Sequence, residues 1–235
     1  MKKSLILVSL LAGTMGVYAQ GTLDWNSQGN WLISIYSPDV TTPNVIFTGD
    51  SPQDVPQGST TYTGGFIGGT AASPGPGVGG TPSSGPGGYN YQTAGNFEVG
   101  LYIDTSAAAV LTDIQTLSPL ATTTISDGAL GTSTLASAPG IAGGTEVNVG
   151  LGAWYTGAGT YTSYASAFAG GVPAGYSISS GQIALGTQTG TPVVIGPGLG
   201  LTSFSLATTV PEPSTIALGV IGASAFLMRL RRSKQ

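Results

Sequence analysis

The stretch Glu146-Val147-Asn148-Val149-Gly150-Leu151-Gly152-Ala153-Trp154-Tyr155 carries the clearest periodicity in the chain. Val147, Val149, Leu151, Ala153 and Tyr155 recur at period two, so in an extended chain they share one face. The pattern predicts a half-buried strand. Outward from it, short apolar runs bounded by Gly, Pro, Asn and Ser predict strands at Thr22 to Trp25, Trp31 to Tyr36, Val45 to Thr48 and Phe97 to Asp104. Others are predicted at Gln182 to Gly186, Pro192 to Ile195 and Ser203 to Ala207. Helical spacing is almost absent, and Tyr161 to Ala169 is the one stretch that suits a short helix. Many short strands with glycine-rich connections predict an all-β fold, an antiparallel β-sandwich of jelly-roll type, with a barrel as the alternative. Strand order is not legible, because glycine-rich strands specify register weakly.

The chain has 235 residues, and setting aside a segment at each end leaves about 190, the size of one domain with a sizeable core. Residues 64–88 hold 11 Gly and 4 Pro in 25 positions, with Phe66, Ile67 and Val78 as the only substantial apolar side chains. So little burial cannot offset the ordering entropy of the segment, and a flexible surface loop is expected there, with a spacer or adhesive role as its functional reading. No internal repeat is evident.

Charge is segregated along the chain. All six basic residues (Lys2, Lys3, Arg229, Arg231, Arg232, Lys234) lie at the two ends, and between Gln20 and Val210 there is no Lys, Arg or His. Nine acids (Asp24, Asp39, Asp50, Asp54, Glu98, Asp104, Asp113, Asp127, Glu146) give that interval a formal charge of -9. Nucleic-acid binding needs cations against phosphate, so this composition argues against it. An anionic body is also repelled by anionic lipid, which leaves membrane contact to the ends.

Inventory narrows the chemistry further. Without His or Cys there is no Ser-His-Asp or Cys-His system, no histidine or thiolate metal site and no disulfide. The interval lacks Lys, which removes Schiff-base chemistry and Ser-Lys dyads. No Gly-Lys-Ser/Thr follows the glycine-rich stretches, so they are not phosphate loops. Paired carboxylates survive: Glu98, Asp104 and Glu146 lie on or beside predicted strands and are candidates for a hydrolase pair, against the plainer reading of solvent-facing acids at strand edges. Asp50 and Asp54 share a turn-rich loop and offer oxygen ligands of the kind calcium takes, although no calcium-loop motif surrounds them. Trp25, Trp31, Tyr36, Tyr89, Tyr91, Trp154, Tyr155, Tyr161 and Tyr164 have the flat amphipathic faces that suit sugar rings. Their other reading, favoured for Trp31, Trp154 and Tyr155 because they sit in strand patterns, is packing in the core. No catalytic residue, metal ligand or cofactor site is predicted.

The two ends carry signals. Lys2 and Lys3, the apolar run Leu5 to Ala12 and Val17-Tyr18-Ala19 form the three regions of a secretory signal peptide over residues 1–19, with cleavage between Ala19 and Gln20. At the other end, Val210-Pro211-Glu212-Pro213-Ser214 precedes an uncharged stretch, predicted as a transmembrane helix over residues 215–228, and a basic tail containing Arg229, Arg231 and Arg232. From Ser214 to Met228 such a helix would run about 22 Å, against a hydrocarbon core of about 30 Å. The two prolines keep the chain before it extended, and Ser214 suits its N-cap. Cations flanking both apolar segments stay cytoplasmic, which places residues 20–209 across the membrane as the exported domain.

The ordered sequence of Val210-Pro-Glu-Pro-Ser214, short apolar helix and arginine-rich terminus over residues 210–235 resembles the PEP-CTERM sorting signal. The resemblance implies processing by an exosortase-like membrane enzyme near the Pro-Glu-Pro, after handling by the Sec translocon and signal peptidase. It further implies transient anchoring in the inner membrane, delivery to the cell surface or extracellular matrix, and exopolysaccharide as a candidate partner. The mature region, from Gly21-Thr22-Leu23 to the run Leu199 to Leu206, also looks, more loosely, like secreted proteins of this kind from Verrucomicrobia-like bacteria. Neither resemblance assigns an activity to the exported domain. The expectation is a non-enzymatic surface or matrix protein, with a carbohydrate-binding or adhesive module and a carboxylate hydrolase as alternatives.

Overall fold

The computed structural model describes residues 20–25, 33–56, 62–67, 86–126, 129–130, 134–187, 193–194 and 199–208. Residues 1–19 and 210–235, where the signal peptide and the sorting signal are expected, lie outside them.

The described residues form mostly strands, paired largely antiparallel, with few helices, consistent with an all-β fold. The expected strand at 146–155 is present as β7 (Glu146–Tyr155), and its partner β3 (Phe97–Asp104) also has the predicted bounds. They pair antiparallel over their whole length, Phe97 opposite Tyr155 and Asp104 opposite Asn148. This pair forms the middle of the largest sheet. On one side β3 pairs with β4 (Ala121–Ser126), which in turn pairs with β5 (Ala129–Leu130). On the other side β7 pairs with β8 (Ala174–Ile178) and, near its start, with β9 (Ile183–Ala184).

The odd-numbered residues of β3 and β7 build one core. Phe97, Val99, Leu101 and Ile103 join Val147, Val149, Leu151 and Ala153, all buried. Residues of two smaller sheets join the same core. In one, β1 (Gln20–Trp25) lies between β6 (Thr134–Ala142) and β10 (Val193–Val194) and contributes Leu23, while β6 contributes Ala136 and Ala138. In the other, β2 (Ile35–Tyr36) pairs with β11 (Phe204–Ser205), adding Ile35 and Phe204. The β1–β10 and β2–β11 pairs are parallel, departing from the purely antiparallel expectation. Each brings an N-terminal strand beside a C-terminal one, a junction no hairpin makes. Pro139 is tolerated in β6 because, among the described residues, that strand pairs with β1 alone in its sheet, and an edge needs no second set of donors.

The even-numbered face is where the sequence reading needs correction. The strand is not half-buried: every residue of β7 from Val147 to Trp154 is buried, because two helices cover its second face. The first, α1 (Ala107–Thr116), was not expected; Ser106 caps it by accepting from the Ala109 N–H at 3.2 Å, and Val110 and Ile114 point into the core. The second, α2 (Tyr164–Ala169), falls in the stretch expected to be helical and starts with a capping box between Ser163 and Ser166. Gly150 and Gly152 lie beneath them. A Cβ on Gly150 would overlap Val110 Cγ1 and stand 2.9 Å from Ile114 Cδ1; one on Gly152 would meet Tyr102 and Tyr164 at 3.2 Å each. These glycines admit the helices.

Val45 to Thr48 is not a regular strand. It lies along β11 through one bridge, Thr48 with Phe204, and the hydroxyl of Ser205 takes the Phe47 N–H at 2.8 Å that a ladder would use. Strands β4, β5, β6 and β8 were not predicted. Of the stretch expected to loop, residues 64–67 and 86–88 are described, and Ile67 is fully buried, donating its N–H to the Ile35 carbonyl at 3.0 Å. Residues 68–85 lie outside the described set.

Candidate functional site

The predicted site residues fall into three groups. Val210, Pro211, Glu212, Pro213, Ser214, Arg229, Arg231, Arg232 and Ala19 lie outside the described residues. Gln20 is the first residue of β1 and is exposed. The residues weighed for chemistry are mostly described, and the sheet register sets Glu98 apart from Asp104 and Glu146.

Glu98 stands opposite Trp154 on β7, and Glu146 lies eight residues along that strand, beyond Asn148. At about 3.4 Å per residue the two carboxylates are some 27 Å apart, well outside the roughly 5–10 Å of a glycosidase pair. Asp104 sits at the Glu146 end, where its carboxylate accepts from the Thr105 hydroxyl at 3.0 Å. Asp113 of α1 lies beside it, and burial followed by the neighbouring Asp104 carboxylate pushes the Asp113 pKa up.

Asp54 is fully engaged in structure. Its carboxylate accepts from the N–H groups of Asp50 (2.7 Å) and Ser51 (3.1 Å) and from the Ser203 hydroxyl (2.9 Å), pinning the 49–54 turn to the chain before β11. That leaves Asp50, among the described residues, as the carboxylate of the turn with no hydrogen bond of its own, where the sequence offers the two acids together as candidate calcium ligands. Among the described residues no group of three or more His, Cys, Asp or Glu is placed to hold a metal ion.

Most of the candidate aromatics pack inside. Tyr36, Tyr91 and Trp154 are fully buried and Tyr164 nearly so, while Tyr89, Tyr155 and Tyr161 are half-buried against the cores. Trp154 donates its indole N–H to the Tyr161 carbonyl at 3.0 Å. The side chain of Trp25, and Trp31 as a whole, lie outside the described set.

Two features escaped the sequence reading. Asp39 is buried, and its carboxylate accepts from the N–H groups of Thr41 (2.8 Å), Thr42 (3.0 Å) and Thr63 (2.9 Å) and from the hydroxyls of all three threonines. Burial alone would raise its pKa, but this cage of donors prevails and holds it well below the usual carboxylate range. The signal was present in Asp39-Val-Thr-Thr-Pro43, a turn in which an acid answers nearby backbone amides.

The second is a cleft of about 520 Å3 at the outer edge of β8, lined by residues 48–52, 176–178, 180 and 200–202. Its volume lies within the roughly 300–1,000 Å3 of small-molecule sites. One wall is the turn braced by Asp54; the other is β8, tied to the floor by the Thr202 N–H donating to the Ser177 hydroxyl at 3.2 Å. At the floor Gly200 takes a positive φ of 65°, a conformation that favours glycine. No single run of sequence announces this site, because three separate segments build it, the first more than a hundred residues from the other two.

Comparison of the chain with protein families, curated proteins and solved structures gives no match.

Proposed function

We propose that this is an exported, non-enzymatic cell-surface or matrix protein. In this reading the sheets face one another as a jelly-roll-like β-sandwich, and an exosortase-like enzyme processes the C-terminal tail. The observation that carries the proposal is the charge partition: six cations confined to the ends, an apolar segment beside each cluster, and a body of formal charge -9 with no Lys, Arg or His between them. Its non-enzymatic part is supported by the separation of Glu98 from Glu146, which breaks that pair of the hydrolase alternative, while Asp104 stays at the Glu146 end of the sheet.

Replacing Glu212 with Ala and Arg229, Arg231 and Arg232 with Ser tests the sorting reading. Membrane fractions are expected to accumulate a precursor that has lost residues 1–19 and kept its tail. Release at the normal rate would contradict the proposal.

A further inference from the structure

We propose that the cleft beside β8 binds a neutral saccharide. The inference stands on the described residues alone and does not depend on the route of export.

The cleft offers oxygen and no positive charge. Thr48, Ser51, Ser180 and Thr202 bring hydroxyls and Asp50 an exposed carboxylate to its lining. A phosphate, sulfate or uronate would need a cation here, and residues 20–209 contain none. A sugar hydroxyl, by contrast, donates to a carboxylate and accepts from a hydroxyl, which this lining supplies.

The strand edge adds backbone groups. Ser179 donates its N–H to Val149 of β7, and the Pro173 carbonyl accepts from Tyr155, so the odd-numbered residues of β8 turn toward β7. Ala174 turns the other way and exchanges hydrogen bonds with Ala207. By the same alternation the N–H and C=O groups of Tyr176 and Ile178 point outward, along the cleft. Tyr176 lines the cleft, as do Pro52, Ile178 and Leu201, and its ring is held by an edge-on contact with Tyr164, centroids 5.7 Å apart. A lining that mixes apolar residues with hydroxyls and a carboxylate matches a pyranose, which has C–H faces and a hydroxyl rim.

The same edge disfavours a peptide strand. The Ala174–Ala207 exchange closes one end of it, and the Gly181 N–H bonded to the Leu199 carbonyl at 3.0 Å closes the other. Two outward residues remain between these stops, too short a run for an added strand. The recess therefore suits a compact ligand, a monosaccharide or the end of a glycan chain.

The test uses the isotope-labelled full chain in a detergent without a sugar headgroup, titrated with glucose, galactose, mannose, N-acetylglucosamine and cellobiose. A hexapeptide of alternating Val and Thr is titrated in parallel. Saturable shifts of the Asp50, Tyr176, Ile178 and Thr202 amides are expected with at least one saccharide. Asp50→Ala, at an exposed side chain, should weaken that binding about tenfold or more with the remaining spectrum unchanged. Tyr176→Leu, checked for fold by circular dichroism, should do the same. The proposal is overturned if no saccharide moves these amides at about 50 mM. Binding that survives both substitutions, or a peptide that binds where sugars do not, overturns it equally.

Discussion

The two faces of the β3–β7 pair are built from different residues. One carries Val147, Val149, Leu151 and Ala153 against Phe97, Val99, Leu101 and Ile103, mostly large apolar side chains that join the residues of the smaller sheets in one core. The other carries Gly150 and Gly152, with Tyr102 and Trp154 as its large members, and its space is filled by side chains of α1 and α2. The first face states its partner requirement directly: apolar area at period two must be covered. The second states it by omission. A strand glycine reads as a weakness when the strand is considered alone, and as a docking surface once the helices are in place.

Substitutions on the two faces should therefore fail in opposite ways. Leu151→Ala leaves a cavity in the sheet-side core and should cost about 3–4 kcal/mol in denaturant unfolding of the full chain. Gly150→Ala adds one methyl where Val110 already sits, and should cost about 2 kcal/mol by overpacking. Adding Val110→Ala to Gly150→Ala should recover part of that loss, whereas adding it to Leu151→Ala should deepen the deficit. If the Gly150 and Val110 effects simply add, the helix is not what the glycine accommodates.

The surroundings of the two faces also treat carboxylates differently. Beyond β2, the donors around Asp39 lower its pKa, so its contribution is complete above the ordinary Asp value of 3.8 and is lost as the pH falls through the depressed folded value. Asp39→Asn should cost about 1.5 kcal/mol at pH 7, and the difference from wild type should shrink in strong acid. On the helix side Asp113 has its pKa raised, so acidification favours the folded state as this group takes up its proton. It also lies near the C-terminal end of α1, where a negative charge opposes the helix dipole. Asp113→Asn should stabilise the chain by about 0.5 kcal/mol at pH 7, with the gain fading as the pH falls through the raised folded value and gone below the ordinary Asp value of 3.8. Thermal unfolding of both variants from pH 2 to 8 separates these signs, and parallel pH profiles would break the comparison.

The legible part of the fold follows the same division. Strands β3 and β7 were readable to the residue because each alternates large apolar side chains with small or polar ones over eight to ten positions. Strand β6 was hidden by Pro139 and Gly140, which look like punctuation in a sequence and are accommodated at an edge. Strand β8, Ala-Gly-Tyr-Ser-Ile, places small residues where other segments approach closely, and β4 carries threonines in place of large apolar residues. Helix α1 did leave a trace in Ser106 followed by Val110 and Ile114, four residues apart, but ten residues offer too few turns for the periodicity to stand out. The cleft was not legible at all. Tyr176 was absent from the candidate aromatics, and Asp50 was weighed with Asp54 for calcium, a role that the three hydrogen bonds on Asp54 weaken.

The intact mass of the native protein, recovered separately from membranes and from culture fluid, tests the proposed function most directly. The account predicts a chain beginning at Gln20 in both fractions, and a released form ending near Pro211-Glu212-Pro213. A soluble cytosolic polypeptide carrying both Met1 and Gln235 would contradict it.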